Sequence, residues 1–205
     1  MEFLREDKHK DFLHILDFLE TAYSQRGVYR SNNLSKESAM DVICLNFTKV
    51  VNDTRAILLL AQQELYIQAG ILCRNTIDAC NLMMHIAFEG ADAPIYKLWA
   101  DGQRISHWKL IKRINTYLDR ELDLSSYEKT RKTLDDFVHA NYSALQLYPA
   151  QAPGPTQIDS AVFTDVTFWK PLMDLFLVSC LLVVPIIVSD LEEEANRFLD
   201  SMDVH

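Results

Sequence analysis

AGILCRNTIDACNLMMHIAFEG, residues 69–90, sets the architecture of the chain. Read as a helix, the segment is apolar over most of its surface, yet Arg74, Asp78, Asn81 and His85 recur at offsets 0, 4, 7 and 11. That spacing is one polar stripe along a greasy rod. A helix apolar on nearly every side sits centrally and is contacted by several neighbours. A polar stripe on it must then be paired or line a cavity, because an unpaired buried charge costs several kcal/mol. Arg74 and Asp78 stand at i and i+4, close enough to pair with each other. The plainest reading is therefore a buried ion pair that fixes helix register.

Helical periodicity accounts for most of the rest. Before the central helix, a first helix is expected over 8–23, with Phe12, Ile15, Leu16 and Leu19 on one face, ending near Gly27. A second is expected over 35–62, with Ser35 as its cap and Glu37 and Ser38 in its first turn. The central helix spans 64–89 and ends at the break EGADAP. A fourth follows over 93–118 and a fifth over 126–147, after the capping sequence DLSS. The loop YPAQAPGPTQ holds three prolines that forbid regular structure. SAVFT after it reads as loop or extended chain. The last helix covers 166–202, with Pro171 in its first turn and Pro185 forcing a kink or break midway. The fold expected is all-α, a single domain over 1–205 built as an up-and-down bundle of about six helices.

Composition agrees. A chain of 205 residues with 49% hydrophobic content buries a substantial core, and five Gly with six Pro leave little room for hairpins. Cysteines 44, 73, 80 and 180 form no CxxC pair. The rise of a helix separates Cys73 from Cys80 by about 10 Å along its axis, too far for a disulfide. They read as buried thiols in a reducing compartment. The N-terminal MEFLREDKHKDFLHILDFLE lacks the apolar core of a secretory signal, so the expected location is the cytoplasm. LFLVSCLLVVPIIV, 175–188, is 14 residues long, short of the roughly 18 that a membrane span needs. It reads as a buried core helix, with no stable membrane span.

Charge is uneven. The net charge is -9, yet 97–132 carries nine Lys and Arg against five Asp and Glu, or +4. From 133 onward two basic residues face eleven acidic ones, and 1–96 carries nine against thirteen. A polyanion would have to dock on the middle segment, since the remainder repels it. EEEANRFLDSMD reads as an acidic helix face in solvent.

The fifth helix supplies a partner for the stripe in TLDDFVHANYSAL. Leu134, Phe137, Val138 and Leu145 form its apolar side, and His139 lies beside them with Asp135 four residues before and Ser143 four after. Asp135 is placed to orient the His139 imidazole toward a cavity. The segment LLLAQQELYIQAGILCRNTIDACNLMMHIAF, followed about fifty residues later by LDDFVHANYSAL, resembles uncharacterised bacterial all-helical families in or near the HEPN superfamily. Arg74 and Asp78 match the arginine and acidic residue of their central helix, and His139 matches the histidine of a later one. The resemblance covers roughly 55–146 and implies a HEPN-like bundle, usually dimeric. In its active members it implies metal-independent cleavage of RNA, with His as acid or base and Arg stabilising the developing charge. Those enzymes place four to six residues between Arg and His on one helix. Here the arginine nearest before His139 is Arg131, eight residues away, and Arg74 precedes His85 by eleven.

Two functions follow. The first is a non-catalytic, dimeric helical module, in a bacterial defence or toxin–antitoxin setting, that binds a partner protein or small ligand through Arg74, Asp78, Asn81, His85, Asp135, Ser143 and His139. Arg74 is then a carboxylate or phosphate clamp. The alternative is a HEPN-like endoribonuclease with Arg74 and His139 catalytic across two helices. RNA would approach along Arg104, Trp108, Lys109, Lys112 and Arg113. No glycine-rich phosphate loop, zinc helix or nucleophile elbow occurs, and no metal or cofactor is expected.

Overall fold

A computed structural model of the chain describes residues 6–25, 38–63, 65–90, 92–112, 114–117, 124–138 and 166–201. These residues are helical with short connections, and no strand occurs among them. The order is α1 (Glu6–Gln25), α2 (Ala39–Gln62), α3 (Tyr66–Glu89), α4 (Pro94–Ala100), α5 (His107–Ile111), α6 (Ile114–Tyr117), α7 (Leu124–Val138) and α8 (Val166–Ile187). A 3-10 turn (Ser189–Leu191) then leads into α9 (Glu192–Ser201).

The central helix is where the periodicity placed it. On α3, Cys73, Thr76, Ile77 and an unbroken run from Ala79 to Ile86 are buried. α2 lies along one flank as an antiparallel neighbour, with the Thr76 hydroxyl donating to Asp53 Oδ2 at 3.2 Å. α8 lies along another flank. Cys73 Sγ is 3.9 Å from Met173 Sδ, and Gly70 faces Trp169. Partners therefore sit about a hundred residues apart at successive positions, so α3 and α8 run parallel. At Gly70 a Cβ would lie 2.9 Å from Trp169 Cη2 and 3.3 Å from Leu134 Cδ2. The missing side chain lets α3, α7 and α8 meet. α1 covers α8 with Phe12, Ile15 and Leu19, and Phe12 stacks on Phe176 at 5.5 Å.

Several expected boundaries move. The cap of α2 is Ser38, whose hydroxyl accepts from Asp41 N at 3.2 Å, not Ser35, which lies outside the described residues. α3 ends at Gly90, at φ 78° and ψ -175°, a conformation open essentially to glycine alone. The single fourth helix expected over 93–118 is instead α4, α5 and α6. Gly102 at φ 70° stops α4, and the Ser106 hydroxyl caps α5 by accepting from Lys109 N at 3.3 Å. α7 begins two residues before the expected start, and the described part ends at Val138. SAVFT and the Pro-rich loop lie outside the described residues.

The last helix is also two. α8 stops two residues past Pro185, whose missing N–H leaves the Leu181 carbonyl without its helical donor. Pro171 sits in the second turn, not the first. The apolar window of α8 is longer than the 14 residues read from the sequence. Trp169–Ile187 is the one helix among the described residues long and apolar enough to cross a membrane, and 72% of it is buried against the rest of the chain. The added residues include the buried Trp169, Leu172 and Met173 together with the Lys170–Asp174 pair at 2.6 Å.

Candidate functional site

The α3 stripe faces α5 and α7, and its charged groups are engaged with those helices rather than with one another. Arg74 does not pair with Asp78. Its Nε lies 3.2 Å from Asp135 Oδ1 on α7, an ion pair whose N–H is not aimed along the contact, so the attraction is coulombic rather than a linear hydrogen bond. Asp135 also receives Arg131, one turn earlier on α7, and Arg131 Nε donates to Glu128 Oε2 at 2.8 Å. Asp135 thus joins two arginines. Its expected role, orienting His139, concerns a histidine that lies outside the described residues, as do Ser143 and Arg113.

Asp78 reaches the other way. Its carboxylate takes a hydrogen bond from Nδ1 of His107, the first residue of α5, and Tyr127 Oη of α7 lies 2.8 Å from His107 Nε2. Because Nδ1 faces a carboxylate, it carries a proton. With the Nδ1 proton directed at the carboxylate, Nε2 is left to accept the Tyr127 hydroxyl. The chain Asp78, His107, Tyr127 links α3, α5 and α7 in one row. His107 is 7% exposed and Tyr127 1%. Burial, reinforced by the Asp78 charge, pushes the Tyr127 phenol well above its ordinary value. It stays a neutral donor. On the same helix the hydrogen bond from Arg131 holds the Glu128 carboxyl below the usual carboxylate range, and the Glu128 bond raises Arg131 in return.

Farther along the stripe, His85 is fully buried, with Nε2 3.2 Å from Leu110 O of α5 and Nδ1 3.1 Å from Glu89 Oε1. Both ring nitrogens face acceptor oxygens, so Nε2 donates to the carbonyl and Nδ1 shares a proton with Glu89. Asn81 turns back on its own helix, Nδ2 donating to Ile77 O at 2.8 Å, and its buried Oδ1 has no protein partner. Among the described residues no three His, Cys, Asp or Glu converge as a metal cage.

His107, Tyr127 and Arg131 are the members that reading the sequence missed as site residues. A signal for His107 was present. His107, Leu110, Ile111 and Ile114 stand at offsets 0, 3, 4 and 7, all buried, which places the histidine on an inward face. Tyr127, Thr130 and Leu134 repeat that spacing on α7. Arg104, Trp108, Lys109 and Lys112 occupy the opposite, solvent side, in and just before α5, with Trp108 51% exposed. Comparison with family models, curated proteins and solved structures returns no match.

Proposed function

We propose that the chain is a non-catalytic, HEPN-like helical module that acts as a homodimer in a reducing, cytoplasmic setting and docks a partner protein. The resemblance of the central helix to bacterial HEPN-like families supports a defence or toxin–antitoxin context. The observation that carries the reading is the fate of the stripe. Arg74 is engaged with Asp135, and Asp78 with His107. His85 is held by Leu110 and Glu89. A phosphate clamp needs an arginine whose carboxylate partner is displaceable, and an acid–base histidine needs a face open to substrate. His107, linked to both a carboxylate and a hydroxyl, is buried together with that hydroxyl. The stripe therefore serves as a fastening that fixes α5 and α7 on α3, and function falls to the surfaces so held. Four buried free thiols accord with a reducing compartment.

Incubation of an end-labelled mixed RNA pool with the purified protein in EDTA, beside Arg74→Ala and His139→Ala, tests this reading. No cleavage by the wild type, with a lower melting temperature for Arg74→Ala, is the expected result. Cleavage by the wild type that disappears in both folded variants would replace it with the ribonuclease.

A further inference from the structure

We propose that the outer face of α5 is the docking surface, and that its occupant is an acidic protein segment carrying an aromatic or aliphatic anchor. This inference rests on the partner-binding reading above and names the site and the partner's chemistry. α5 is only five residues long, too short to hold a position by its own helical stability. Its inner side is nevertheless anchored at three points. His107 is bound to Asp78 and Tyr127, the Leu110 carbonyl meets His85, and Leu110 and Ile111 are buried. So many polar fastenings on so small an element give its outer side a fixed orientation.

That outer side presents a large apolar group beside cations. Trp108 and Lys112 stand at i and i+4, and Lys109 is next to Trp108. Arg104 is exposed in the connector that leads into the helix. None of Arg104, Lys109 or Lys112 has a carboxylate partner among the described residues, whereas Lys97 on α4 pairs with Asp92 at 3.2 Å. Phe88, 63% exposed, lies one turn beyond His85, whose Nε2 meets the Leu110 carbonyl of α5. An exposed Trp flanked by unneutralised cations matches an anchor residue set among carboxylates.

The charge pattern selects a short acidic segment over nucleic acid. α5 spans about 8 Å, roughly a turn and a half. A single-stranded nucleic acid occupies about 4–16 nucleotides on a folded module. It would run off the patch onto a chain that carries -4 over 1–96 and -9 beyond 132. A peptide needs only the patch.

Fluorescence anisotropy of the full chain with a labelled peptide of repeated Glu-Glu-Phe, and separately with a single-stranded uridine homopolymer, tests the proposal. The variants are Trp108→Ala, the pair Lys109→Glu with Lys112→Glu, and Arg197→Glu as a remote control on α9. All three alter exposed side chains, and circular dichroism checks their fold. The expected result is peptide binding that weakens about tenfold or more in the first two variants and is unchanged in the control. Absence of peptide binding overturns the proposal, as does equal loss in all three variants, or tighter binding of the uridine polymer than of the peptide. Failure here leaves the non-catalytic reading standing, and RNA cleavage would sink that reading whatever the peptide does.

Discussion

Replacing Asp78 by Ala should loosen α5 from α3, by an amount the geometry bounds. The carboxylate receives the His107 Nδ1–H, and the His107 side chain is 5% exposed. A hydrogen bond to a charged partner contributes about 1.5–3 kcal/mol, and the buried N–H left behind adds to the loss. Alanine's better helix propensity offsets roughly 0.5 kcal/mol. A net loss of about 2 kcal/mol follows, which for a chain of this size lowers Tm by about 4–8 °C. The discriminating experiment is a pair of double-mutant cycles read by urea unfolding. Asp78→Ala combined with His107→Ala should show a coupling of about 1–2 kcal/mol, although the residues are 29 apart in sequence. Asp78→Ala combined with Arg74→Ala, four residues apart on one helix, should be additive to within about 0.5 kcal/mol. If the order of the two couplings reverses, the stripe is an intrahelical ion pair and the fastening of α5 is wrong.

The remaining expectations concern α7 and α8. In Tyr127→Phe the pH dependence should change on the alkaline side. The folded phenol titrates well above 10, so both states keep the proton below that pH. Above it only the unfolded chain ionises, and the phenol's contribution is lost as pH rises. The stability gap between wild type and Tyr127→Phe should therefore narrow as pH rises above about 10, in urea midpoints. Parallel curves would show that Tyr127 is not the neutral donor described. Cys73 and Cys180, whose thiols burial also pushes up, act alike in both proteins and cancel. Gly70→Ala should lower Tm even though alanine is favoured in a helix by about 1 kcal/mol. Its methyl would press on the 1%-exposed Trp169 ring, and overpacking costs about 1–3 kcal/mol. Trp169→Phe in the same chain should make the alanine less damaging, and a higher Tm for Gly70→Ala alone would refute the close approach.

How much of this was legible varies with the range of the interaction. The long amphipathic helices follow from local periodicity, so α1, α2 and α3 fall where the spacing of Phe12, Ile15 and Leu19, or of Ile77 and Met84, puts them. The stretch around Gly102 was misread for a physical reason. Ile95, Trp99, Leu110 and Ile111 keep a helical spacing across it, while the interruption depends on one glycine at positive φ and one serine cap. A periodicity argument averages over such single residues. The division of the last helix was half legible, because Pro185 signals a break but not which side of it the next helix begins.

The pairing along the stripe illustrates the limit more sharply. An i,i+4 pair such as Arg74 with Asp78 contributes about 0.3–0.5 kcal/mol when exposed, and sequence spacing alone proposes it. Once α5 and α7 cover the helix, the comparison changes. Each charge must be met by groups that remain when water is gone, and an unmet one costs several kcal/mol. Asp78 satisfied by Arg74 would leave the buried His107 Nδ1–H without its carboxylate and take from Asp135 its pair with Arg74. Exchanging one intrahelical pair for two tertiary ones satisfies all of them, and the cost avoided is several times the local preference. The stripe is therefore visible in the sequence, while its partners are set by which helices cover it. That choice resides in Leu110, Ile111 and Leu134, the apolar residues that bring His107 and Asp135 within reach.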